Sequence, residues 1–456
     1  MNFITQLQLA WRHWPTHRKV WALAVPMILS NLTIPLVTLV DSSVVGHLPH
    51  AHQLGAVAVG ASFYSVMASL TMFLRMTTTG FAAQAAGQRN DTLLQRILLQ
   101  SLLMALGLAL LLAVLSEPFL QLGLLVMNPS DELRAMASSF FHIRLFGLPA
   151  TLTRYALVGW LLGRQNARAP LAIMVVTNSV NIVLALWFVL GLKWGVNGAA
   201  MASVCAEWTG ILWGLFLVRS SLISMPSALR APALRVWKNW SPLLAANRDI
   251  FLRSLALHCV FVGVTIRGGQ LGDDTVAANA LLLNGLMVSA YALDGLAHAL
   301  EALCGYAIGQ RRLAALRRAL VVAGGWSFAI SAVFAVGFLF WGKYFVAMQS
   351  DIPAVRAAAA PYLPYLAMLP MVAVWSYLLD GLFIGATRAR EMRNGMLLSL
   401  LLTAPLAWLL RDYGNHGLWI ALLFFMAMRA ATLGWIGWQL HLRKQWIPNN
   451  NAAEAA

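Results

Sequence analysis

Charge is scarce in this chain. Asp, Glu, Lys and Arg make up 11% of its 456 residues, against roughly a quarter in soluble proteins. Hydrophobic residues make up 60%, and the mean hydropathy is +0.71. A water-soluble fold of this length has no interior large enough to hide so much apolar surface, so lipid must be part of the solvent. Cysteine is almost missing: Cys205, Cys259 and Cys304 sit singly in apolar stretches. That excludes a disulfide scaffold and Cys-based metal sites, leaving packing as their role. Walker-type, H-E-x-x-H and G-x-S-x-G motifs are all lacking, so ATP-driven and hydrolytic chemistry have no support. No secretory signal is evident, because residues 1–19 are mixed and basic and the first apolar run is too long for a signal core. The first span is therefore expected to act as the insertion signal.

Apolar runs between charges give twelve expected spans, near 20–46, 54–86, 93–116, 134–162, 169–191, 196–218, 250–271, 276–308, 314–341, 354–385, 395–410 and 416–440. Each approaches or exceeds the roughly 20 residues that cross a hydrocarbon core of about 30 Å. Of 32 Lys and Arg, 22 fall on one set of loops and 4 on the other. By the positive-inside rule both termini face the cytoplasm. The formal net charge of +16 thus marks topology and gives no reason to expect a nucleic-acid partner. Trp11, Trp14, Trp194, Trp341, Trp419 and Trp446 lie near span ends and fit an interfacial aromatic belt.

The chain repeats itself. Gly87-Gln88-Arg89 recurs as Gly309-Gln310-Arg311, 222 residues later. At the same spacing Tyr155, Gly159 and Gly163 match Tyr377, Gly381 and Gly385, and Ala167-Arg168 matches Ala389-Arg390. Gly195-x-x-Gly198 pairs with Gly414-x-x-Gly417 once three residues are dropped. Two six-span repeats are a transporter architecture. The expected fold is an all-α polytopic membrane protein, with an amino-terminal lobe over 1–219 and a carboxy-terminal lobe over 250–445. An interfacial linker over 220–249, carrying Pro226, Pro232 and Pro242, would join them, and 446–456 would form a disordered tail. The cleft between the repeats is the expected substrate path. Tyr155, Phe146, Trp160, Tyr377 and Phe383 lie in spans that could line it, where aromatic walls suit amphiphilic cations.

Within 20–46 the one ionisable side chain is Asp41. A carboxylate at that depth costs at least about 2.5–3.5 kcal/mol, so it needs a partner, a proton or a job. Pro26 and Pro35 interrupt the same helix, and Pro35 leaves the carbonyl of Asn31 without its usual donor, so a bend is expected. A bendable helix carrying a buried acid is what a cation-driven machine requires. The bland alternative is a structural partner for Asn181 or Arg75. Asp294, His298 and Glu301 share one helical face with Tyr291, and their acids stand about 10 Å apart along the axis. They could handle protons or substrate, or satisfy Arg267. Asp380 is a candidate member of the same site. Glu207 is as easily a partner for a buried arginine. Arg75, Arg134, Arg144, Arg154, Arg267 and Arg429 read as ion-pair or snorkelling side chains.

The stretches LVDSSVVGHL (39–48), GVNGAAMAS (195–203), YALDGLAHALEALCGYAIG (291–309) and DGLFIGATRAREMRN (380–394) resemble the multidrug and toxic compound extrusion (MATE) exporters. The Asp294, Glu301 and Asp380 set is similar to their DNA-damage-inducible branch. The resemblance covers nearly the whole chain. It implies two six-helix lobes that expel organic cations or amphiphiles in exchange for H⁺ or Na⁺, with no other cofactor. In family members with a cation site in the amino-terminal lobe, an Asp commonly follows an Asn by four residues on the fifth helix. Here Asn181 is followed by Ala185, while Ser203 holds the place of the site's hydroxyl. With one acid fewer, a Na⁺ site loses charge, which favours protons on Asp41. The expectation is a monomeric secondary exporter of a bacterial inner membrane. The alternative is a flippase for a lipid-linked precursor, although the intramembrane acids suit cationic cargo better.

Overall fold

The computed structural model describes residues 3–46, 51–223 and 236–447, and every regular element among them is helical. In lipid a backbone must satisfy its own hydrogen bonds, and long apolar runs do so as helices. In order these are α1 (Phe3–Trp11), α2 (Trp14–Gly46), α3 (Ala51–Leu70), α4 (Phe73–Gly87), α5 (Asp91–Met127), α6 (Asp131–Leu145), α7 (Leu148–Gly163), α8 (Arg168–Ala185) and α9 (Gly195–Ile223). After them come α10 (Ser241–Gln270), α11 (Asp273–Gly309), α12 (Leu313–Ala347), α13 (Pro353–Ala359), α14 (Leu363–Gly385), α15 (Ala389–Leu409) and α16 (Gly414–Leu442). Among the described residues eleven helical stretches are long and apolar enough to cross a membrane, and a twelfth span arises if the bent pair α6–α7 counts as one.

Four boundaries differ from the sequence reading. The span expected at 134–162 is broken between α6 and α7 and bent by 47°. The third span continues to Met127, far beyond residue 116. Much of the expected linker is helix: α9 runs to Ile223 and α10 starts at Ser241. Pro242 occupies the first turn of α10, where a missing N–H costs nothing, and the linker's residues 224–235 lie outside the described residues. Trp446, expected in the tail, is buried against Phe383 with ring centroids 5.7 Å apart; residues 448–456 lie outside the described residues. Trp419 is not in an interfacial belt either. It is 2% exposed and donates its indole N–H to Asn279 Oδ1 at 2.9 Å.

The chain divides into two units, one of residues Leu29–Leu243 and one of Met1–Ile28 with Leu244–Ala456. The first 28 residues therefore group with the carboxy-terminal half, where the sequence reading put them with the amino-terminal one. Their packing explains it. The Trp11 ring lies so close to Gly325 that a Cβ there would be 2.2 Å from it, and Gly295 likewise leaves room only for Ile28. His17 Nε2 bonds the Trp11 carbonyl at 2.6 Å, while the Trp326 indole N–H donates to its Nδ1 at 3.0 Å.

The internal repeat is visible in both backbone and packing. Arg89 and Arg311 both adopt a left-handed conformation (φ 56° and 58°), as do Gln165 and Thr387 (61° and 54°) and Gly195 and Gly414 (56° and 57°). The repeated glycines mark close helix approaches. A Cβ on Gly159 or Gly163 would lie 2.5 Å or 2.9 Å from the carbonyl oxygens of Arg75 and Thr79 on α4. One on Gly381 or Gly385 would lie 2.5 Å or 2.4 Å from those of Ala297 and Glu301 on α11. Small residues four apart let membrane helices touch backbone to backbone. Gly385→Val should therefore cost about 1–3 kcal/mol through overpacking, read as a lower melting temperature of the purified protein. Gly337→Ala, where a Cβ meets nothing within 4 Å, should leave it nearly unchanged.

Candidate functional site

In the amino-terminal unit the polar groups converge on the α6–α7 break. Arg144 and Glu207 are both buried. Arg144 Nη2 donates to Glu207 Oε1 at 2.8 Å, and the guanidinium lies over the Tyr64 ring, 3.9 Å from its centroid. The Tyr64 hydroxyl reaches both Glu207 oxygens at 3.4 Å and Thr151 Oγ1 at 3.1 Å. The break is what admits the carboxylate: a Cβ on Gly147 would sit 2.0 Å from Glu207 Oε2. Pro149 starts α7 in its first turn, and the Phe146 carbonyl is capped by the Trp208 indole N–H at 2.9 Å. A side chain at position 147 would exclude the carboxylate.

Asp41 stands differently. It is half-buried on α2, and it makes no ion pair among the described residues. Arg144 is close enough to act on it electrostatically, but that guanidinium's contact partner is Glu207. The polar groups of α8 and α9 expected to surround it bond as follows. Asn178 on α8 donates to Thr33 Oγ1 on α2 at 2.6 Å. Asn181 donates to Ser203 Oγ at 3.1 Å, while its own Oδ1 is buried and accepts no hydrogen bond among the described residues.

In the carboxy-terminal unit the centre is Asp380. Its Oδ2 accepts from Arg253 Nη2 and, at 2.9 Å, from Arg429 Nη2. All three side chains are buried. Asp294 on α11 lies within electrostatic reach of Arg253 and of Tyr377, and it also acts on Tyr291. Glu301 is 1% exposed and sits one helical stretch further along α11, where Gly385 of α14 packs onto its backbone. His298 lies between them, partly buried. Asp380 and Asp294 are thus brought to one charge network.

Arg253, near the start of the span expected at 250–271, is 6% exposed inside the unit. A run of basic residues near a span end reads as topology, so nothing in the sequence marked it as the acid's partner. Tyr64, Asn178 and Gly147 were missed for a similar reason: single polar or small residues in apolar spans carry no pattern. Trp160 and Phe383, candidates for a cleft lining, are fully buried core side chains. Removing one partner of a buried ion pair strands the other, at about 3–5 kcal/mol, whereas replacing both with apolar groups is often neutral. Asp380→Leu alone should therefore lower the melting temperature far more than Asp41→Leu. Glu207→Leu combined with Arg144→Met should recover much of the loss caused by Glu207→Leu.

The MatE family model matches residues 26–187 and 250–409. The chain is 44% identical over 433 residues to DNA damage-inducible protein F of Escherichia coli (strain K12), covering 93% of each. It is 27% identical over 452 residues to a probable multidrug resistance protein NorM of Caulobacter vibrioides, covering 91% of each. A MATE protein solved in a bent conformation superposes with a TM-score of 0.86 at 19% identity, covering 96% of this chain and 98% of that one. With the twelve-span helical architecture and the tandem match, this makes the chain a membrane transporter, not an enzyme, and a member of the MatE family of multidrug and toxin efflux proteins.

Proposed function

We propose that the protein is a secondary active exporter of amphiphilic or cationic organic compounds, working by alternating access in a bacterial inner membrane with both termini in the cytoplasm. The compounds leave in exchange for protons, and Asp41 is the group that carries them. One observation supports this above the others: Asp41 is a half-buried membrane carboxylate with no ion-pair partner among the described residues, whereas Glu207 and Asp380 are each held by arginine. A carboxylate already compensated in contact has little to gain from a passing cation, while an uncompensated one must find a proton or a cation. Ala185, where relatives with a cation site in this lobe carry a second acid, leaves Asp41 as a single acid and favours the proton over Na⁺, because a hard metal cation needs several oxygens and more negative charge. Loading Asp41 removes its charge and bends α2 at Pro26 and Pro35, which closes the amino-terminal unit on its cargo. Asp294, Glu301 and Asp380, supported by His298 and Tyr291, contribute a second charge set in the carboxy-terminal unit.

The 44% identity to DNA damage-inducible protein F of Escherichia coli supports a bacterial setting and the same branch of the family. The intramembrane acids Asp41, Glu207, Asp294, Glu301 and Asp380 suit cationic cargo better than a lipid-linked precursor. In cells loaded with ethidium, Asp41→Asn should abolish export at unchanged membrane levels of the protein. Glu301→Gln should slow export without abolishing it. Full ethidium export by Asp41→Asn would overturn the assignment.

A further inference from the structure

A cavity of about 420 Å³ lies among α10, α15 and α16 of the carboxy-terminal unit, within the size range of small-molecule pockets. Its walls are mostly aliphatic, with Val264, Leu400, Ala404, Leu418 and Leu422 among them. The charged side chains lining it are Arg267 and Arg411. Arg411 has a carboxylate nearby, with Nε 3.5 Å from Asp412. Arg267 has none: it donates to Gln270 Oε1 at 3.0 Å and to the Arg411 carbonyl at 2.8 Å, both uncharged acceptors. Among the described residues it forms no ion pair. A guanidinium at the rim of an aliphatic chamber, with no anion of its own, is a receptor for an acidic head.

The internal repeat sharpens this reading. At the spacing of 222 residues, Asp41 corresponds to Gly263, Asn178 to Leu400 and Asn181 to Thr403. At the shorter spacing that pairs Gly195 with Gly414, Ser203 corresponds to Leu422. All four carboxy-terminal counterparts line the cavity. The positions that hold Asp41, Asn178, Asn181 and Ser203 in one unit have become the wall of an apolar chamber in the other. Three of the four have lost their polar side chains, and the charged position has become a glycine. A Cβ on Gly263 would meet nothing within 4 Å, so that position opens onto free space.

We propose that this chamber binds the apolar body of a small acidic amphiphile, with its carboxylate or sulfonate on Arg267. The site is independent of Asp41 and goes beyond the cation exchange proposed above. A chamber whose charged lining is arginine repels organic cations, so it extends the range of ligands to anionic amphiphiles.

The test uses the full chain in phosphatidylcholine nanodiscs with 11-(dansylamino)undecanoic acid and its methyl ester as probes. Wild type should bind the acid saturably and the ester about tenfold more weakly, the scale of one charge-assisted contact. Arg267→Gln should bring the acid down to the ester's affinity and leave the ester unchanged. Gly263→Phe, which fills the chamber, should abolish binding of both, with Gly263→Ala intermediate. Asp41→Asn should bind the acid like wild type, which separates failure here from failure of the exchange reading. Equal binding of acid and ester by wild type would overturn the proposal, as would wild-type binding by a folded Gly263→Phe. So would displacement of the probe by phosphatidylglycerol added to the nanodiscs, since the chamber would then hold membrane lipid.

Discussion

A carboxylate in a medium of low dielectric must be matched by positive charge, and the rest of this protein is arranged around how each buried acid meets that demand. Glu207 meets it with Arg144, under a tyrosine ring and a helix break. Asp380 meets it with two arginines on a single oxygen. These are closed arrangements, in which the acid and its cation are both fixed to the chain. Asp41 is left outside them, near Arg144 but not in contact with it. That asymmetry gives the proposed exchange its logic, because a transported ion can replace only a compensation that the chain does not itself supply.

The helix geometry serves the same demand. Gly147 is small enough to let the Glu207 carboxylate reach the α6–α7 break, and Trp208 satisfies a carbonyl that the break exposes. Irregular backbone at membrane depth is tolerated where protein groups re-satisfy it. The paired glycines of α7 and α14 do the opposite work, pressing helices together until carbonyl and Cα nearly touch. Both devices recur in membrane transporters built from repeats, where packing without a hydrophobic drive depends on small side chains.

Much of the fold was legible because lipid enforces simple rules. Runs of apolar residues could only be helices, and spaced identities such as Gly159 and Gly163 with Gly381 and Gly385 exposed the duplication before any coordinates. What stayed hidden was local and long-range at once. Nothing in the sequence distinguishes Arg253 as a buried partner from the basic loop residues beside it. The need for glycine at 147 comes from a carboxylate 60 residues away. Residues 1–28 pack with the carboxy-terminal half through Trp11, His17 and Ile28, side chains that look like ordinary interfacial or apolar residues in isolation. For the candidate site, Asp41, Asp294, Glu301 and Asp380 could be picked out because an acid in oil is conspicuous. The pairing of Asp380 with Arg253 and Arg429 could not, since neither arginine lies near it in the sequence.

The most direct measurement of the central claim is ion movement during transport. Purified protein reconstituted in proteoliposomes would be given an imposed pH gradient or an imposed Na⁺ gradient, with luminal pH and ethidium uptake followed together. The account predicts that the pH gradient alone drives uptake, that protons move in the opposite sense to ethidium, and that Asp41→Asn abolishes both. Uptake driven by Na⁺ with no proton movement, or proton-coupled uptake that survives Asp41→Asn, would contradict it.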